Sequence, residues 1–304
     1  MSRMSLKIAL YASYQTGEEL PGYVRYALEH LSKTDFKVVL LTNERPLSQA
    51  SYEFLADNGI ELFLTQNHGF DFGMWRRYLH MQAISNSVNG SVNEPNTAGN
   101  IERLLLLNDS VVYYQDKFQE YFDRAEKSHA DVVSLTSNDE FAPHLQSFFM
   151  YMKPAALGVF LIHLFETPEQ ENFYDVTRRL EVALSEKFAE AEVKMESLYH
   201  TERPVFFAYK ELIEQEAGFV KRKLLQRRFS YEEKKHFVRY HAYDALNENY
   251  LALIRKAGFA SDFKEEWFPR PCENPIARAK DFVWEKAFQL VGFPAKRFID
   301  KLIK

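Results

Sequence analysis

Apolar runs alternate with helical patterns along the first third of the chain. Runs at 6–12, 36–41 and 60–64 predict buried strands, and apolar residues spaced three and four apart predict a helix from Pro21 and another over 48–57. This alternation predicts a parallel α/β sheet. In such sheets, ligands bind beyond the carboxyl ends of the strands, so polar residues at those ends become the candidates for a site.

The segment 67–75 follows the third predicted strand and reads Asn-His-Gly-Phe-Asp-Phe-Gly-Met-Trp. Gly69 and Gly73 allow a tight turn or a close approach of the backbone to a ligand. Asp71 can accept hydrogen bonds from ribose or sugar hydroxyls. One interpretation is a ligand loop, and the other is a glycine turn in which Asp71 caps the next helix.

Polar residues follow all three of these strands. Ser13 and Tyr14 follow the first, Asn43 follows the second, and the segment 67–73 follows the third. Because the carboxyl ends of parallel strands meet at one edge of a sheet, we expect these residues to lie together. That convergence favours the ligand loop at Asp71.

A strongly apolar run at 103–107 leads into Asn108-Asp109-Ser110. An acidic residue at the tip of such a strand suits a divalent cation, Mg²⁺ or Mn²⁺, that holds a diphosphate. The alternative is an Asn-Asp-Ser turn without a ligand. Both interpretations stay open on this spacing.

The middle of the chain is less regular. A polar stretch at 85–100 predicts a surface loop, and a helix over 115–127 and a strand over 131–136 follow it. A further strand over 144–152 begins with His144 and Gln146, which either bind a phosphate or hydroxyl or mark a water-exposed start of the strand.

Helices dominate after residue 153. They are predicted from Pro154 and over 170–188, and Glu181 lies inside the apolar surroundings of the second one. A glutamate beside a core-facing stripe is more often at its rim than catalytic, on composition alone.

Charge and composition limit the function classes. The 304 residues carry a net charge of −5, which argues against bulk nucleic-acid binding. The single cysteine, Cys272, excludes an intrachain disulfide and is typical of a reducing cytosol. No signal peptide is visible and no apolar stretch approaches the roughly 20 residues that span a bilayer, so a cytoplasmic protein is expected. Aromatic residues at 15% suit a thick core, a carbohydrate-facing groove or a membrane-facing rim.

The segment 276–304 interleaves apolar and basic residues, and Gly292-Phe293-Pro294 divides it into two amphipathic helices. Basic helices with Trp and Phe suit an anionic bilayer surface, which would place the protein peripherally at the cytoplasmic face of the inner membrane. The alternative is a helix pair packed on the domain.

Five motifs, in order, resemble the rhamnan synthesis protein F family, bacterial glycosyltransferases that build cell-surface polysaccharides. They are Asn67-x-Gly69-x-Asp71-x-Gly73, Leu107-Asn108-Asp109-Ser110, His144-Leu145-Gln146-Ser147-Phe148-Phe149, Glu181-Val182-x-Leu184-Ser185 and Gly218-Phe219-Val220-Lys221-Arg222-x-Leu224-Leu225. They cover roughly residues 6–229. The resemblance implies a GT-A type nucleotide-diphospho-sugar transferase fold, a Rossmann-like mixed α/β sheet flanked by helices, over 1–229. A helical, basic and aromatic extension over 230–304 follows it.

The resemblance also implies the transfer of a sugar, often rhamnose or another deoxysugar, from a nucleotide-diphosphate donor. The acceptor is a growing cell-surface polysaccharide or a lipid-linked oligosaccharide, and we expect inversion at the anomeric carbon. Glu181 is the expected catalytic base and Asp139 the second candidate, and Asp109 is expected to face the diphosphate directly or through Mg²⁺ or Mn²⁺. The residues expected to bind the donor are Ser13, Tyr14, Asn43, Asn67, Gly69, Asp71, Gly73, Asn108, Asp109, Ser110, His144 and Gln146.

A second hypothesis is a non-catalytic module that binds nucleotide sugars or glycans within a membrane polysaccharide assembly complex. It predicts binding without turnover. A kinase is disfavoured because the sequence has neither a Gly-x-x-x-x-Gly-Lys-Ser/Thr loop nor a Gly-x-Gly-x-x-Gly turn.

Overall fold

The computed structural model of the chain describes residues 6–89, 101–139, 141–201, 204–205 and 207–226. The chain divides into two compact units, Met1–Arg222 and Lys223–Lys304, and only residues 223–226 of the second unit are described. The predicted domain boundary at 229/230 and the predicted amphipathic segment 276–304 lie outside the described residues.

The described residues form eleven strands. In chain order they are β1 (Leu6–Ala12), β2 (Lys37–Asn43), β3 (Glu61–Thr65), β4 (Ile101–Asn108), β5 (Val111–Tyr113), β6 (Val132–Ser134), β7 (Ser137–Asn138), β8 (His144–Leu145), β9 (Phe149–Met152), β10 (Met195–Ser197) and β11 (Phe219–Lys221). Seven of them make one sheet in the order β10-β6-β9-β4-β1-β2-β3. Strand β9 runs antiparallel to both of its neighbours, and the other pairings in the sheet are parallel.

The helices cover both faces of this sheet. They are α1 (Gly22–Ser32), α2 (Gln49–Asp57), α3 (Phe70–Asn89), α4 (Phe118–Lys127), α5 (Pro154–Glu166), α6 (Phe173–Asp175), a π-helical segment (Val176–Val182), α7 (Ala183–Glu190), α8 (Tyr209–Glu214) and α9 (Arg222–Gln226). The mixed α/β fold predicted from the family resemblance is confirmed.

The first three strands are parallel, as their alternation with helices predicts, and β9 is the exception in the sheet. Between β6 and β9 the chain forms the short β7–β8 hairpin instead of a helical crossover. A parallel pairing needs a long crossover, so the next strand returns antiparallel. For the same reason the strand predicted over 144–152 is two strands, since β8 pairs with β7 while β9 enters the central sheet.

The end of α3 also differs from the prediction. Residues 85–89 of the predicted surface loop are the last turn of α3, and residues 90–100 lie outside the described residues. The helix is anchored by Trp75, Tyr78 and Leu79, which are buried against the sheet. That packing stabilises the helix more than the low helix propensity of its final Ser and Asn residues weakens it.

Aromatic side chains form much of the core. On one face, Trp75 and Phe160 lie in a cluster that joins α3, α5 and α7 to the strands. On α4, Phe122 stacks on Phe149 with ring centroids 6.3 Å apart and also contacts Tyr151. The thick-core explanation of the aromatic content therefore holds for these residues. Among the described helices, none combines the length and the apolar character needed to cross a bilayer.

Candidate functional site

The candidate site lies where β1, β3 and β4 end. Ser13 follows β1, Asp71 lies in the first turn of α3 after β3, and Asn108 ends β4 with Asp109 directly after it. The fourth contribution comes from β11, which pairs antiparallel with β5 so that Lys221 is opposite Val111. This pairing brings two basic residues, Lys221 and Arg222, to the carboxyl end of the sheet.

Asp109 is the centre of a buried polar network. Its Oδ2 atom accepts hydrogen bonds from Ser13 Oγ at 2.8 Å and from Arg222 Nη1 at 2.7 Å. Arg222 Nη1 also donates to the Tyr23 hydroxyl at 2.9 Å, and Gln15 Nε2 donates to Ser13 Oγ at 2.6 Å. Burial raises the pKa of the Asp109 carboxyl, and Arg222 and Ser13 oppose that rise by stabilising the carboxylate.

Asp71 accepts a hydrogen bond from Asn108 Nδ2, so the turn after β3 is tied to the end of β4. Asn108 is itself held by its Oδ1 atom, which accepts the backbone N–H of Ser110 at 3.0 Å. Asp71 is the second residue of α3 and not its N-cap, so the helix-cap interpretation does not describe its position. Its carboxylate faces the neighbouring strand end.

The pKa of Asp71 is raised to about 6. Burial is the largest cause, and the carboxylates of Asp109 and Glu181 add to it, while hydrogen bonds from the backbone and from Asn108 act against it. Two further acidic groups within electrostatic reach make this a site where a proton can be taken up near neutral pH.

Both glycines lie where the backbone is closely packed. A Cβ on Gly73 would lie 2.1 Å from the carbonyl oxygen of His68, and a Cβ on Gly69 would lie 3.1 Å from the Cα of Gly73. Gly69 also has a φ of +72°. Phe70, between Gly69 and Asp71, has a φ of +54°, which is strained for an aromatic residue. Strain immediately before Asp71 supports a functional role for this turn.

Arg77 stabilises the same turn through hydrogen bonds to its backbone. Its guanidinium donates to the carbonyl oxygens of Gln66 at 2.6 Å and His68 at 2.7 Å. It also pairs with Glu169 at 2.9 Å, and Glu169 contacts His68 Nδ1 at 2.5 Å. The turn that carries Asp71 is therefore preorganised by side chains outside the site.

Glu181 lies in the π-helical segment and accepts the backbone N–H of Ser147 at 2.5 Å. One turn later, Ser185 Oγ accepts the backbone N–H of Leu145 at 3.0 Å. These two contacts join the segments 144–149 and 181–185. A π-helical segment often marks a functional site, because its extra residue reorients the side chains it carries.

Lys221 lies over an aromatic ring. Its Nζ atom is 4.0 Å from the ring centroid of Phe148. Burial lowers the pKa of Lys221 to about 8, against the opposing influence of Glu181 and Asp71. Within the part of the chain that the structure describes, no carboxylate lies within ion-pairing distance of this ammonium group.

The other predicted donor ligands differ in their surroundings. The Asn43 side chain makes two hydrogen bonds to the backbone of Gln15. Its Oδ1 atom accepts from the N–H at 2.7 Å, and its Nδ2 atom donates to the carbonyl oxygen at 3.1 Å. Tyr14 and Asn67 are exposed, and Ser110 is partly buried beside the Asp109 network. For these residues and for Gly69 and Gly73, contact with a donor stays a prediction.

His144 and Gln146 are buried, so the water-exposed alternative for them is wrong. His144 Nδ1 lies 2.7 Å from the carbonyl oxygen of Ala142, and Gln146 Oε1 accepts from Thr136 Oγ1 at 2.7 Å. His144 is part of β8 and pairs with Asn138 of β7. Asp139, the second candidate base, is exposed in the loop that follows β7.

The predicted metal ion at Asp109 would compete with the guanidinium of Arg222. Among the residues that the structure describes, no group of three or more His, Cys, Asp and Glu side chains is placed to hold a metal ion. The Oδ2 atom of Asp109 already accepts from a hydroxyl and a guanidinium. A divalent cation at that atom would face the positive charge of Arg222, so this carboxylate oxygen does not fit a metal ion.

Lys221 and Arg222 are the site residues to which sequence reasoning gave no role. They belong to a family-like motif, 218–225, but their place beside Asp109 depends on the pairing of β5 with β11. The backbone N–H of Arg222 donates to Ser110 at 2.8 Å and fixes that register. Two consecutive cations at the end of a short apolar strand were the available signal.

The site groups three carboxylates with two cations at the carboxyl edge of the mixed sheet. Residues 38–252 match the model of the family described as rhamnan synthesis protein F, RgpF. That match covers more than half of the chain, and the chain belongs to this family. The match begins later than the predicted residue 6 and extends beyond the predicted residue 229.

Similar solved structures include a cytidylyltransferase from Leptospira borgpetersenii, with 15% identity over 66% of this chain and 77% of that chain and a TM-score of 0.37. A glycosyltransferase involved in the glycosylation of the major capsid of PBCV-1 has 13% identity over 75% and 99% of the two chains, with a TM-score of 0.34. The glycosyltransferase GlyE of Streptococcus pneumoniae TIGR4 has 13% identity over 89% and 66%, with a TM-score of 0.35. No curated protein matches the chain.

Proposed function

We propose that this protein is an inverting glycosyltransferase that moves rhamnose or another deoxysugar from a nucleotide-diphosphate donor. The acceptor is a growing cell-surface polysaccharide or a lipid-linked oligosaccharide. The observation that carries the proposal is the cluster of Asp71, Asp109 and Glu181, in which a carboxyl with a pKa of about 6 lies within electrostatic reach of two others. Family membership supports the reaction class.

The donor lies across the strand ends in this proposal. Asp71 accepts hydrogen bonds from hydroxyls of the donor sugar or ribose, and Asn108 orients its carboxylate. The braced turn around Gly69 and Gly73 keeps this carboxylate in place before the donor arrives. Preorganisation of this kind lowers the free energy that is spent on ordering the site during binding.

Glu181 takes the proton of the acceptor hydroxyl as that oxygen attacks the anomeric carbon. The attack comes from the face opposite the nucleotide, so the configuration at that carbon inverts, and the nucleotide diphosphate leaves with the bonding electron pair. The hydrogen bond from Ser147 N–H orients one oxygen of Glu181, and no described residue hydrogen-bonds the other, which faces the acceptor in this proposal. Removal of a positioned base costs roughly 10²–10⁴ in rate.

A panel of nucleotide-diphosphate sugars tests the proposal. The full-length protein is incubated with each donor and with lipid-linked or oligosaccharide acceptors, and released nucleotide diphosphate and glycosylated product are measured. We expect one donor to be turned over, with a product of inverted anomeric configuration by NMR. Donor binding without release of nucleotide diphosphate from any donor would support the non-catalytic module instead.

A further inference from the structure

We propose that Lys221 and Arg222 bind the diphosphate of the donor and stabilise it as the leaving group, and that Asp109 positions Arg222 instead of holding a divalent cation. This inference rests on the proposed function, since it names how the same site meets the charge of the donor. A diphosphate that leaves from a sugar needs positive charge nearby. Either a metal ion or fixed cations can supply it.

Two hydrogen bonds fix the position of the Arg222 guanidinium. Its Nη1 atom donates to Asp109 Oδ2 at 2.7 Å and to the Tyr23 hydroxyl at 2.9 Å. Among the described residues, its Nε and Nη2 groups have no hydrogen-bonded acceptor. A guanidinium presents five N–H donors, so the bonds to Asp109 and Tyr23 aim the group and leave one edge for phosphate oxygens.

Lys221 lies where its charge is partly removed from water. Its ammonium lies against the Phe148 ring, partly buried, and none of the described carboxylates is close enough to pair with it. A desolvated ammonium without a paired anion is costly, and an anionic ligand would complete its surroundings. The groups that influence it electrostatically are Glu181 from the π-helical segment and Asp71 from α3.

The backbone places these two cations beside each other at the strand ends. Lys221 pairs with Val111, two residues after Asp109, and the Arg222 N–H donates to Ser110. The cations are therefore next to the tip of β4, where the sequence pattern predicts the diphosphate. Arg222 occupies one of the two carboxylate oxygens of Asp109, so a cation already stands where a metal ion would be expected.

Calorimetric titration of the full-length protein with inorganic pyrophosphate, in buffer with EDTA, tests the inference. The wild-type protein is compared with Lys221→Met and Arg222→Gln, and Lys187→Met is the control because Lys187 is exposed on α7 and pairs with Glu190. We expect wild-type binding without divalent cations, about tenfold or greater weakening in the two site variants, and no change in the control. Lys221→Arg, which keeps the cation, should restore binding to within a few fold.

Two results would overturn the inference: pyrophosphate that binds only when Mg²⁺ or Mn²⁺ is added, or Lys221→Met that binds as tightly as wild type. Should Arg222→Gln not fold, because Asp109 loses its partner, the Lys221 variants and the EDTA titration still decide. Failure of the proposed function is distinguishable. If pyrophosphate binds but no donor is turned over, the glycosyltransferase proposal is wrong and the anion site stands. If a donor is turned over and Lys221→Met does not slow the reaction, the proposed function stands and the anion site is wrong.

Discussion

Arg222 Nη1 donates a hydrogen bond to Asp109 Oδ2 at 2.7 Å, although the two residues are 113 positions apart in the chain. The contact joins the end of β4 to the residue after β11. It depends on the antiparallel pairing of β5 with β11. Strand β5 begins directly after the tip of β4. The site is thus assembled from the amino-terminal strand ends and from the last described strand of the first unit.

Asp71→Asn should stabilise the protein above pH 6. The pKa of Asp71 is raised from 3.8 to about 6 by burial, so the stability that the protonated carboxyl contributes is present below pH 3.8 and is lost as the pH rises through about 6. Asn imitates the protonated form. We expect a gain in the free energy of unfolding on the order of 1–3 kcal/mol at pH 8 and little change near pH 4, measured by urea denaturation.

Asp139→Asn is the matched control for that comparison. Asp139 is exposed, so the same substitution should leave the free energy of unfolding within about 0.5 kcal/mol at both pH values. Equal stability of wild type and Asp71→Asn at pH 8 would show that the Asp71 carboxylate is well solvated. It would contradict the claim that Asp71 belongs to a buried cluster of carboxylates.

Ser185→Ala should destabilise the protein by about 1–3 kcal/mol, because the buried N–H of Leu145 loses its acceptor. Chemical denaturation measures the change. Ser137→Ala is the control, since among the described residues the Ser137 hydroxyl has one long contact, 3.4 Å to Ser197, and we expect a change below about 0.5 kcal/mol. A Ser185→Ala protein as stable as the control would contradict the link between the π-helical segment and the strand.

Gly73→Ala should destabilise the protein by about 3 kcal/mol, because the added Cβ would overlap the carbonyl oxygen of His68. Gly158→Ala makes the same change inside α5, where nothing lies within 4 Å of the new atom. That control should gain about 0.5–1 kcal/mol from the lower entropy of the unfolded chain. Thermal unfolding of the two variants should therefore shift in opposite directions, and a Gly73→Ala protein at the wild-type melting temperature would mean that the turn is not packed as described.

Donor affinity should fall as the pH rises through about 8. Burial lowers the pKa of Lys221 to about 8, so this cation loses its proton in the free protein within that range. The diphosphate of a sugar nucleotide stays ionised between pH 7 and 9, so the fall reports the protein. We expect affinity to drop several fold from pH 7 to pH 9 in calorimetric titration, and Lys221→Met to show a weaker, flatter profile. A flat wild-type profile would count against Lys221.

Local pattern predicts the first half of the fold well. The spacing of Val24, Ala27, Leu28 and Leu31 identifies α1, and the buried runs identify β1 to β4, because each of these elements has one consistent periodicity. The antiparallel β9 is not accessible to such reasoning. Its direction depends on a two-strand hairpin whose strands are two residues long.

The candidate site divides in the same way. Asp71, Asn108 and Asp109 are predicted because they lie at or just after the ends of apolar runs in an alternating pattern. Lys221 and Arg222 receive no role, since only the long-range β5–β11 pairing shows that they belong there. The glycines of the turn are predicted for ligand access, yet the close contact of Gly73 with His68 shows a packing requirement that spacing does not reveal.

Glu181→Gln in the donor assay tests the central claim most directly. Gln keeps an oxygen that accepts the Ser147 N–H, so the fold and donor binding should be unchanged, while the base is lost. Glu186→Gln, exposed on α7, is the control. We predict that wild type and Glu186→Gln release nucleotide diphosphate from the preferred donor at equal rates, and that Glu181→Gln binds this donor but turns it over about 100-fold or more slowly. Turnover by Glu181→Gln at the wild-type rate would contradict this account.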